Sequence, residues 1–432
     1  TVRDDTLYVS RDKLIALALE QNEMLAASGA MRDAAGAEAT GALRAFLPQV
    51  QLGSFFLRSD DALNSFGYRL QERSVTQADF YPPSLNDPGE TNHFVSRLQL
   101  LQPIFNGGMG INGKQAADAM SRAAEYDHRR AQETITFHAI QAFEGLALAK
   151  AYEEVMMAAV ASAEGHVRQA RSMVEAEMAT EADLLQAQVY LSGLQQKLIE
   201  VRNMMAVAGE NIKLLTAVDT DLPLAAEVPP VDPAALPAVA GMDGRRGSSR
   251  SDILSRREQA DAAGQMVAVA RGSMLPHVNL SLQRDFYSQD DLFGDDARSW
   301  SLGVYATWDI FKGMQNIGEV KKARAQKRAA EYMVQFETRQ ARVQATEALL
   351  AAQAAHEKVA VARGAVEAAR EGLRIVTNQY REGLASMVNL LDVQAAAVMA
   401  EGNLVQALHD YNVGMANLEY TGATATAPGV ER

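Results

Sequence analysis

Residues 104–107 read Ile-Phe-Asn-Gly and residues 310–313 read Ile-Phe-Lys-Gly, so two copies of one motif stand 206 positions apart. Residues 122–126 read Arg-Ala-Ala-Glu-Tyr and recur unchanged at 328–332, again at an offset of 206. Self-similarity at a fixed offset is typical of an internal repeat. The chain is therefore predicted to contain two copies of one structural unit.

The two copies keep the same length over a long stretch. Residues 184–185 and 390–391 are Leu-Leu pairs at the same offset, so no insertion separates this point from the first motif in either copy. A stretch of fixed length predicts a rigid element. Upstream, Leu-Pro-Gln-Val at 47–50 matches Leu-Pro-His-Val at 275–278 at an offset of 228, so the intervening stretch is 22 residues longer in the first copy. That variable stretch is predicted to be a loop. The connections over 58–93 and 288–298 are rich in Asp, Ser, Asn, Gly and Pro, as is typical of exposed loops.

Proline positions divide the chain into segments. Residues 104–222 and 277–427 contain no proline and can be helical throughout. Prolines and glycines are concentrated between these tracts, as is typical of a linker. The predicted organisation is a first repeat over 1–220, a Pro/Gly-rich linker over 221–250, a second repeat over 251–422 and a tail over 423–432. Each repeat is predicted to hold a helix, a strand pair and a long helical hairpin.

The composition favours helices and excludes several classes of protein. Of the 432 residues, 48% are hydrophobic and only 6% are aromatic, which suits close helix packing better than a core of bulky side chains. The net charge of -13 argues against a nucleic-acid partner, because phosphates require a basic surface. The sequence has no cysteine, which excludes disulfides, thiolate metal sites, cysteine nucleophiles and an acylated N-terminal cysteine.

The sequence shows neither a leader nor a membrane-spanning helix. The chain begins at Thr1 without a charged and apolar leader, so a signal peptide has either been removed or never existed. No uninterrupted apolar run reaches the roughly 18 to 20 residues that a membrane-spanning helix requires. Any membrane crossing is therefore expected to be made by strands.

A seven-residue apolar repeat runs through the second proline-free tract. Five such heptads predict a coiled coil, and alanine at many of the positions predicts close approach of helix axes, with partners on more than one side. The first copy shows the same register, and a helix over about 110–176 would be roughly 100 Å long at about 1.5 Å per residue. A long coiled-coil stalk would explain the heptads equally well. The two columns are Ala345, Ala352, Val359, Val366, Leu373 and Tyr380, and Ala348, Ala355, Ala362, Ala369 and Val376.

Four stretches alternate apolar residues with polar or small ones, as strands with two different faces do. They lie around 46–57, 94–105, 276–287 and 299–311. The only two tryptophans, Trp300 and Trp308, bracket the apolar face of the fourth stretch, about 26 Å apart at roughly 3.3 Å per residue. They resemble the aromatic girdles of a lipid-facing band, although a half-buried soluble strand with two core tryptophans would show the same pattern. A closed membrane barrel needs at least about eight strands, so four strands cannot close one and several chains must share it. Three copies with twelve strands in all are the simplest prediction.

With these features in place, the sequence resembles the TolC family of outer-membrane efflux proteins over nearly the whole chain. The resemblance is carried by the Leu-Pro-x-Val strand starts at 47–50 and 275–278 and by the Pro-Ile-Phe-Asn-Gly-Gly strand end at 103–108. It implies a mostly α fold with a small β part. The implied assembly is a trimeric α/β-barrel duct, in which each protomer gives four membrane β-strands and long coiled helical hairpins in two structural repeats.

The resemblance also implies a function and a location. The implied function is that of the outer-membrane exit duct of a tripartite export machine. Such a duct is a passive gated channel that passes drugs, metals or secreted polypeptides from an inner-membrane pump to the outside. The expected location is the bacterial outer membrane, with an extension into the periplasm.

The resemblance further implies which residues meet partners and which form a gate. In this family the hairpin tips carry a glycine-apolar-x-Ser/Thr motif that docks on a periplasmic adaptor. The implied docking residues are Met178, Ala179, Thr180, Gly383, Leu384, Ala385 and Ser386. The implied gate residues are Asp183, Gln186, Asn389 and Asp392, each of which three-fold symmetry would turn into a ring around the axis. A constricted ring of carboxylates attracts cations and repels anions. Plain helix-turn-helix joints with solvated faces would carry the same residue types. Glu177 stands where the motif, and Gly383 in the second tip, has glycine, so the two hairpins are inequivalent.

The implied partners are two further copies in a homotrimer, a periplasmic adaptor (membrane fusion) protein, an inner-membrane pump reached through it, and outer-membrane lipid, with Trp300 and Trp308 as the membrane girdle. The seven histidines are scattered without ligand spacing, and there is no phosphate loop or nucleophile elbow. Neither an enzyme activity nor a cofactor or metal site is therefore predicted. The alternative hypothesis, supported by the heptads alone, is a soluble periplasmic coiled-coil scaffold or adaptor protein.

Overall fold

The computed structural model describes residues 2–3, 6–227, 236–237, 239 and 249–422. These residues are mostly helical with a small β part, which confirms the predicted fold class. The helices are α1 (Arg11–Gln21), α2 (Glu23–Gly41), α3 (Ala62–Gln71), α4 (Pro82–Asn86), α5 (Met109–Glu175), α6 (Glu181–Thr216), α7 (Ser251–Gly272), α8 (Gln315–Arg381) and α9 (Met387–Thr421). The strands are β1 (Val2–Arg3), β2 (Thr6–Val9), β3 (Gln49–Ser59), β4 (Thr91–Asn106), β5 (Leu224–Ala226), β6 (His277–Ser288) and β7 (Ala297–Thr307). No helix within the described residues combines the length and the apolar character needed to cross a membrane.

The two long hairpins have the matched lengths that the repeat predicts. Both α5 and α8 have 67 residues, and their first residues, Met109 and Gln315, stand 206 positions apart. The helices that follow, α6 and α9, begin at Glu181 and Met387, which are also 206 positions apart. The helix predicted over about 110–176 agrees with α5 to within one residue at each end. The length-matched part of the repeat is therefore a helical hairpin.

The described residues separate into two compact units. The first comprises Thr1–Arg32, Glu125–Ser255 and Val334–Arg432, and the second comprises Asp33–Ala124 and Arg256–Met333. Each unit takes segments from both predicted repeats. The compact units therefore do not coincide with the predicted repeats. The repeat boundaries at 220 and 250 stay a prediction.

The predicted coiled seam is buried in the first unit. Ala345 and Ala352 of α8 are 0% exposed and Val359 is 1% exposed, so the first column of the heptad repeat faces other helices. A Cβ added to Gly414 of α9 would lie 3.3 Å from the Cα of Ala352. Small residues on both helices thus allow the close approach of axes that the alanine-rich heptads predict.

The first unit also contains a three-stranded sheet in the order β1-β2-β5. β2 runs parallel to β5, with Leu7 opposite Leu224 and Val9 opposite Ala226. Val9, Leu224 and Ala226 are buried in one hydrophobic cluster with Leu14 of α1. The sheet therefore fixes the start of the chain next to the end of the first hairpin.

β5 lies inside the predicted linker over 221–250. Sequence reasoning missed this strand because three residues are too few to show an alternating pattern. Nearby, the Tyr411 hydroxyl donates a hydrogen bond of 2.8 Å to the carbonyl of Pro237. The other parts of the predicted linker, at 228–235, 238 and 240–248, and the predicted tail at 423–432 lie outside the described residues.

The second unit contains a four-stranded antiparallel sheet in the order β3-β4-β6-β7. The first repeat supplies β3 and β4, the second supplies β6 and β7, and the pairing of β4 with β6 joins the two. All four strands that the alternation predicts are present. Within the described residues, no strand pairs with the outer edge of β3 or of β7.

The fourth strand is shorter than the sequence predicts. Alternation continues to 311, but β7 covers Ala297–Thr307, so the predicted end is wrong. Gly313 and Met314 have positive φ angles of 57° and 70° in the turn that leads into α8. Thr307, the last residue of β7, pairs with His277, the first residue of β6, so β7 ends where its partner ends and Trp308 is the first residue after it.

The connection over 58–93 is partly folded, although the sequence predicts an exposed loop. It contains α3 and α4, and α3 begins where the Asp61 carboxylate accepts a hydrogen bond of 2.7 Å from the Asn64 N–H. Arg69 of α3 forms an ion pair with Asp79 further along the same connection. Sequence reasoning missed α3 because its ten residues lie in a stretch dominated by turn-forming residues.

Candidate functional site

The tip of the first hairpin is a tight turn between α5 and α6. Glu177 takes a left-handed backbone conformation with φ of 56°. The N–H of Met178 donates to the Met173 carbonyl at 2.8 Å, and the N–H of Glu177 donates to the Val174 carbonyl at 3.0 Å. These bonds satisfy carbonyls that a helix end leaves unpaired.

The tip of the second hairpin repeats this backbone geometry. Gly383 has φ of 72°, the N–H of Leu384 donates to the Gln379 carbonyl at 2.8 Å, and the N–H of Gly383 donates to the Tyr380 carbonyl at 3.1 Å. A Cβ added to Gly383 would meet nothing within 4 Å. Glycine is favoured there by backbone conformation and not by lack of space, and the first tip holds the same turn with glutamate.

Asp183, a predicted gate residue, caps the start of α6. Its Oδ2 accepts hydrogen bonds from the Thr180 N–H at 3.0 Å and from the Thr180 hydroxyl at 2.7 Å. In return the Thr180 Oγ1 accepts a bond of 3.3 Å from the Asp183 N–H. The pair is a capping box, which satisfies donors that a helix start leaves free. The next predicted gate residue, Gln186, is exposed.

Ser386 caps the start of α9 through a single bond, which its Oγ accepts from the Asn389 N–H at 3.2 Å. The side chains of Asn389 and Asp392 are exposed, and neither forms a hydrogen bond or ion pair with the described residues. Met387 and Leu390, on the other face of this first turn, are 1% and 0% exposed. The start of α9 thus has one free polar face and one buried apolar face.

The predicted docking residues include one exposed apolar side chain on each tip. Met178 is 68% exposed and Leu384 is 79% exposed. Ala179 and Ala385, which follow them, are half-buried. The two tips therefore present an apolar group at equivalent positions of the repeat.

A hydrophobic cluster brings the two tips together. It is formed by Ala170, Ala187, Tyr380, Met387 and Leu390, so α5, α6, α8 and α9 all contribute. The Tyr380 hydroxyl is buried without a hydrogen-bond partner among the described residues. Burial raises the pKa of Tyr380, and the nearby Asp183 carboxylate acts in the same direction. The sequence places Tyr380 in the heptad seam. Its hydroxyl, in a column of otherwise apolar side chains, was the one sequence signal that this seam contains a buried polar group.

A second polar group is buried between the hairpins. His166 is 7% exposed, and its Nε2 lies 3.4 Å from the Oε1 of Gln394. The Ser162 hydroxyl donates to the same oxygen at 3.0 Å. Burial lowers the pKa of His166, the bond to Gln394 opposes this shift, and the charge of Arg381 adds to it. Sequence reasoning missed this group because nothing in the spacing of the histidines distinguishes His166.

The four-stranded sheet of the second unit has two chemically different faces. One face is apolar and exposed, with Leu52 63%, Leu302 60% and Val304 68% exposed. On the other face Arg97 Nε donates to Asp285 Oδ1 at 2.8 Å. Such a sheet is suited to apolar surroundings on one side and to water on the other.

The two tryptophans of the predicted girdle are both exposed, Trp300 by 72% and Trp308 by 58%. The indole N–H of Trp308 donates to the Met274 carbonyl at 3.0 Å. An exposed indole with a polar tip is typical of a membrane–water interface. The girdle itself stays a prediction.

The connection over 58–93 is held against the polar face of the sheet by a buried network. His93 Nδ1 lies 2.6 Å from Glu72 Oε1, and the two side chains are 1% and 2% exposed. The ring of Tyr68 stacks on His93 with 4.7 Å between centroids, and Gln289 Nε2 donates to Glu72 Oε2 at 2.7 Å. Sequence reasoning missed the network, because residues 21 or more positions apart carry no joint signal in one sequence.

Known proteins resemble this chain in sequence and in structure. The sequence profile of the outer membrane efflux protein family matches residues 14–218 and 248–420. Over 320 residues the chain is 23% identical to outer membrane efflux protein BepC of Brucella suis biovar 1, with 72% of this chain and 68% of BepC covered. Over 356 residues it is 20% identical to alkaline protease secretion protein AprF of Pseudomonas aeruginosa, with 81% of this chain and 72% of AprF covered.

The fold also matches solved structures. The CmeC outer membrane channel of Campylobacter jejuni superimposes with a TM-score of 0.83 over 95% of this chain and 85% of CmeC, at 19% identity. This likeness shows the fold, and the profile match covers both predicted repeats and most of the chain. The resemblance inferred from the sequence motifs is confirmed: the chain belongs to the outer membrane efflux protein family.

Proposed function

We propose that three copies of this chain form an outer-membrane exit duct, a passive gated channel that receives cargo from an inner-membrane pump through a periplasmic adaptor. Membership of the outer membrane efflux protein family places the chain in the outer membrane, with an extension into the periplasm. The observation that carries the proposal is the four-stranded sheet, with its exposed apolar face and the unpaired edges of β3 and β7 in the described residues. Lipid offers no hydrogen bonds to free strand edges, so such a sheet needs further strands to close it.

The number of copies follows from what the strands must enclose. Two copies would give eight strands, and the interior of an eight-stranded barrel is just wide enough to be filled by side chains. Three copies give twelve strands and leave a passage. A homotrimer is therefore the smallest closed assembly of this sheet that can conduct cargo.

The long helices support the same assembly. Phe336, Val343 and Leu350 of α8 are spaced seven residues apart and are 59%, 55% and 60% exposed. They form a further heptad column, distinct from the two columns of the buried seam, and a column of this kind packs against another helix. A neighbouring copy would supply that helix. The alternative of a soluble coiled-coil scaffold would explain this column but leaves the apolar sheet face in water.

We propose that the gate is formed by Asp183, Gln186, Asn389 and Asp392, which lie in the first two turns of α6 and α9. Three-fold symmetry would repeat each of them around the axis, and rings of carboxylates attract cations and repel anions. Asn389 and Asp392 have no side-chain bond within the described residues that would hold them away from a passage. Asp183 differs, because its capping bonds to Thr180 must be kept in any test.

A double variant with Asp183→Asn and Asp392→Asn tests the gate in planar bilayers. Asparagine retains an oxygen that accepts the Thr180 N–H, so the variant removes charge and keeps the cap. We expect wild-type protein to be cation-selective in a KCl gradient and the double variant to lose most of that preference. Glu357→Gln, an exposed change in the middle of α8, is the matched control. An unchanged reversal potential in the double variant would reject the proposed gate residues but not the proposed duct.

We propose that Met178 and Leu384, with Ala179, Thr180, Ala385 and Ser386 beside them and Gly383 in the turn, dock on the adaptor. Their exposure and their equivalent places in the two tips support a repeated apolar contact. Leu384→Asp should weaken co-purification with the adaptor without loss of the trimer, whereas Leu350→Asp on α8 should disturb the trimer.

The cargo follows less directly from the relatives. The names of BepC and AprF refer to efflux and to protease secretion, so we keep both small molecules and polypeptides in the proposal.

The duct itself is tested on protein purified in detergent and imaged as single particles. We expect hollow three-fold particles, a mass of three chains by light scattering, and discrete conductance steps in bilayers. Folded monomers that stay in solution without detergent and give no conductance would reject the duct. They would favour the periplasmic scaffold.

A further inference from the structure

Arg284 is a basic residue on the apolar face of the four-stranded sheet. Side chains on a strand alternate between faces, so Arg284 shares its face with Leu282 and Phe286 of β6. On the neighbouring strands it stands opposite Leu98 of β4 and Trp300 of β7. Directly opposed residues have Cβ atoms about 4.5–5.5 Å apart. The guanidinium therefore lies among apolar and aromatic side chains.

Arg284 differs from the other arginines on this face because it has no acidic partner. Arg58 pairs with Glu90, and Arg298 lies 3.8 Å from Asp295. Arg284 is exposed and forms no ion pair within the described residues. Its guanidinium carbon lies 5.5 Å from the centre of the Phe286 ring, a contact that leaves its N–H donors free.

The two tryptophans of the girdle differ in a parallel way. The indole N–H of Trp308 is bonded to the Met274 carbonyl at 3.0 Å. The indole of Trp300, opposite Arg284, is 72% exposed and forms no hydrogen bond within the described residues. One row of the apolar face thus presents an uncompensated positive charge and a free N–H donor side by side.

A charge on the lipid-facing side of a strand restricts the depth at which that row can lie. The cost of arginine is highest at the bilayer midplane and small near the interface. Tryptophan also favours the interface. The row of Arg284 and Trp300 lies four residues before the end of β6 and three residues after the start of β7. An unpaired arginine beside a tryptophan is favoured at the level of the lipid headgroups, so the row belongs there. The anionic groups at that level are phosphates.

We propose that Arg284 and Trp300 form a binding site for the headgroup phosphate of an anionic membrane lipid. The planar guanidinium can donate two parallel hydrogen bonds to phosphate oxygens, and the indole N–H can donate a third. The aromatic surfaces of Trp300 and Phe286 would contact the lipid chains below the phosphate. This site rests on the proposed function, because it requires the apolar face to contact lipid.

The test uses full-length protein in phosphatidylcholine vesicles with or without phosphatidylglycerol. We expect phosphatidylglycerol to raise the thermal unfolding midpoint of wild-type protein, and Arg284→Gln to lose most of that increase. Native mass spectrometry should show about tenfold weaker retention of phosphatidylglycerol by this variant, as expected for the loss of about 1.4 kcal/mol of binding free energy. Arg324→Gln removes an exposed arginine from α8 and should respond like wild type.

Two further arms separate a lipid site from a general anion site. Trp300→Phe keeps the ring and removes the N–H, so it should lose part of the phosphatidylglycerol effect and remains informative if Arg284→Gln folds poorly. Inorganic phosphate added to detergent-purified protein should not raise the midpoint; an equal increase would overturn the lipid assignment.

Conductance of the same vesicles distinguishes the two proposals. Channels formed by Arg284→Gln with an undiminished response to phosphatidylglycerol would reject the site and leave the duct. No channels from any variant, wild type included, would reject the proposed function.

Discussion

The two hairpin tips have the same backbone and different surroundings. Glu177 and Gly383 have φ angles of 56° and 72°, and equivalent pairs of backbone bonds close the two turns. The residues that begin the next helices differ in burial: Glu181 is exposed, whereas Met387 is only 1% exposed. The hydrogen-bonding pattern of the duplicated hairpin has therefore been kept, while its side chains have diverged.

This divergence makes the contact between the tips unequal. The second hairpin contributes Tyr380, Met387 and Leu390 to the shared cluster, and the first contributes Ala170 and Ala187. The fully buried members are thus bulky in the second hairpin and small in the first, whose larger Val167, Met173 and Leu184 are only partly buried against the cluster. A change on the second tip should therefore disturb the pair more than the equivalent change on the first.

The largest expected effect comes from truncating a leucine that stands at equivalent positions in the two hairpins, Leu184 in the first and Leu390 in the second. Leu390 is 0% exposed, and Leu390→Ala should lower the free energy of unfolding by about 2–5 kcal/mol. Leu184, its equivalent, is half-buried, so Leu184→Ala should cost less. Urea unfolding and hydrogen exchange of the tip peptides measure both. Equal losses would show that the cluster does not favour the second tip.

Exchanging the residues of the two turns separates backbone from packing. Gly383→Glu places a side chain on a backbone with φ of 72°, which should cost about 1–2 kcal/mol. Glu177→Gly relieves the same strain in the first tip and should stabilise it by a similar or smaller amount, because glycine also gains freedom in the unfolded chain. Hydrogen exchange of the two tips, followed in one sample, reads out both changes. Destabilisation by Glu177→Gly would mean that the glutamate side chain supports its turn.

Much of the hairpin architecture could be predicted from the sequence. A constant offset of 206 and unbroken heptads fix the length and the buried side of a helix, and α5 and α8 match both. Period-two alternation likewise predicted the four strands of the larger sheet. These signals are local and repeat many times, so single exceptions do not hide them.

The missed features depend on contacts between distant residues. Glu72 and His93 lie in a stretch with the composition of a loop, yet they form a buried pair. β7 ends at Thr307 because its partner strand β6 begins at His277, and the alternation within β7 does not show this. Asp183 is a further case, because its spacing from Thr180 fits a helix cap and a gate equally well. Its capping bonds are observed, and its place in a gate remains a proposal.

Tyr380 should show a smaller effect with the opposite sign. Its hydroxyl is buried without a partner among the described residues, and the equivalent residue of the first hairpin is Val174, which has no hydroxyl. Tyr380→Phe should therefore raise the free energy of unfolding by about 1 kcal/mol. Tyr411→Phe is the matched control, because this equally buried tyrosine donates to the Pro237 carbonyl and should lose about 1 kcal/mol. A loss in both variants would show that Tyr380 is hydrogen-bonded in solution.

The smallest expected effect is a pH dependence that the first hairpin has and the second lacks. His166 is buried, whereas the equivalent residue of the second hairpin is Gly372. Because burial lowers the pKa of His166, the unfolded chain binds its proton first as the pH falls. The stabilisation is therefore present above the unfolded pKa of about 6.5 and is lost as the pH falls from there toward the folded pKa. Urea unfolding at pH 7.5 and 5.5 should show a loss of stability in wild type that is smaller in His166→Gln. An equal loss in both would assign the pH dependence to other groups and remove this difference between the hairpins.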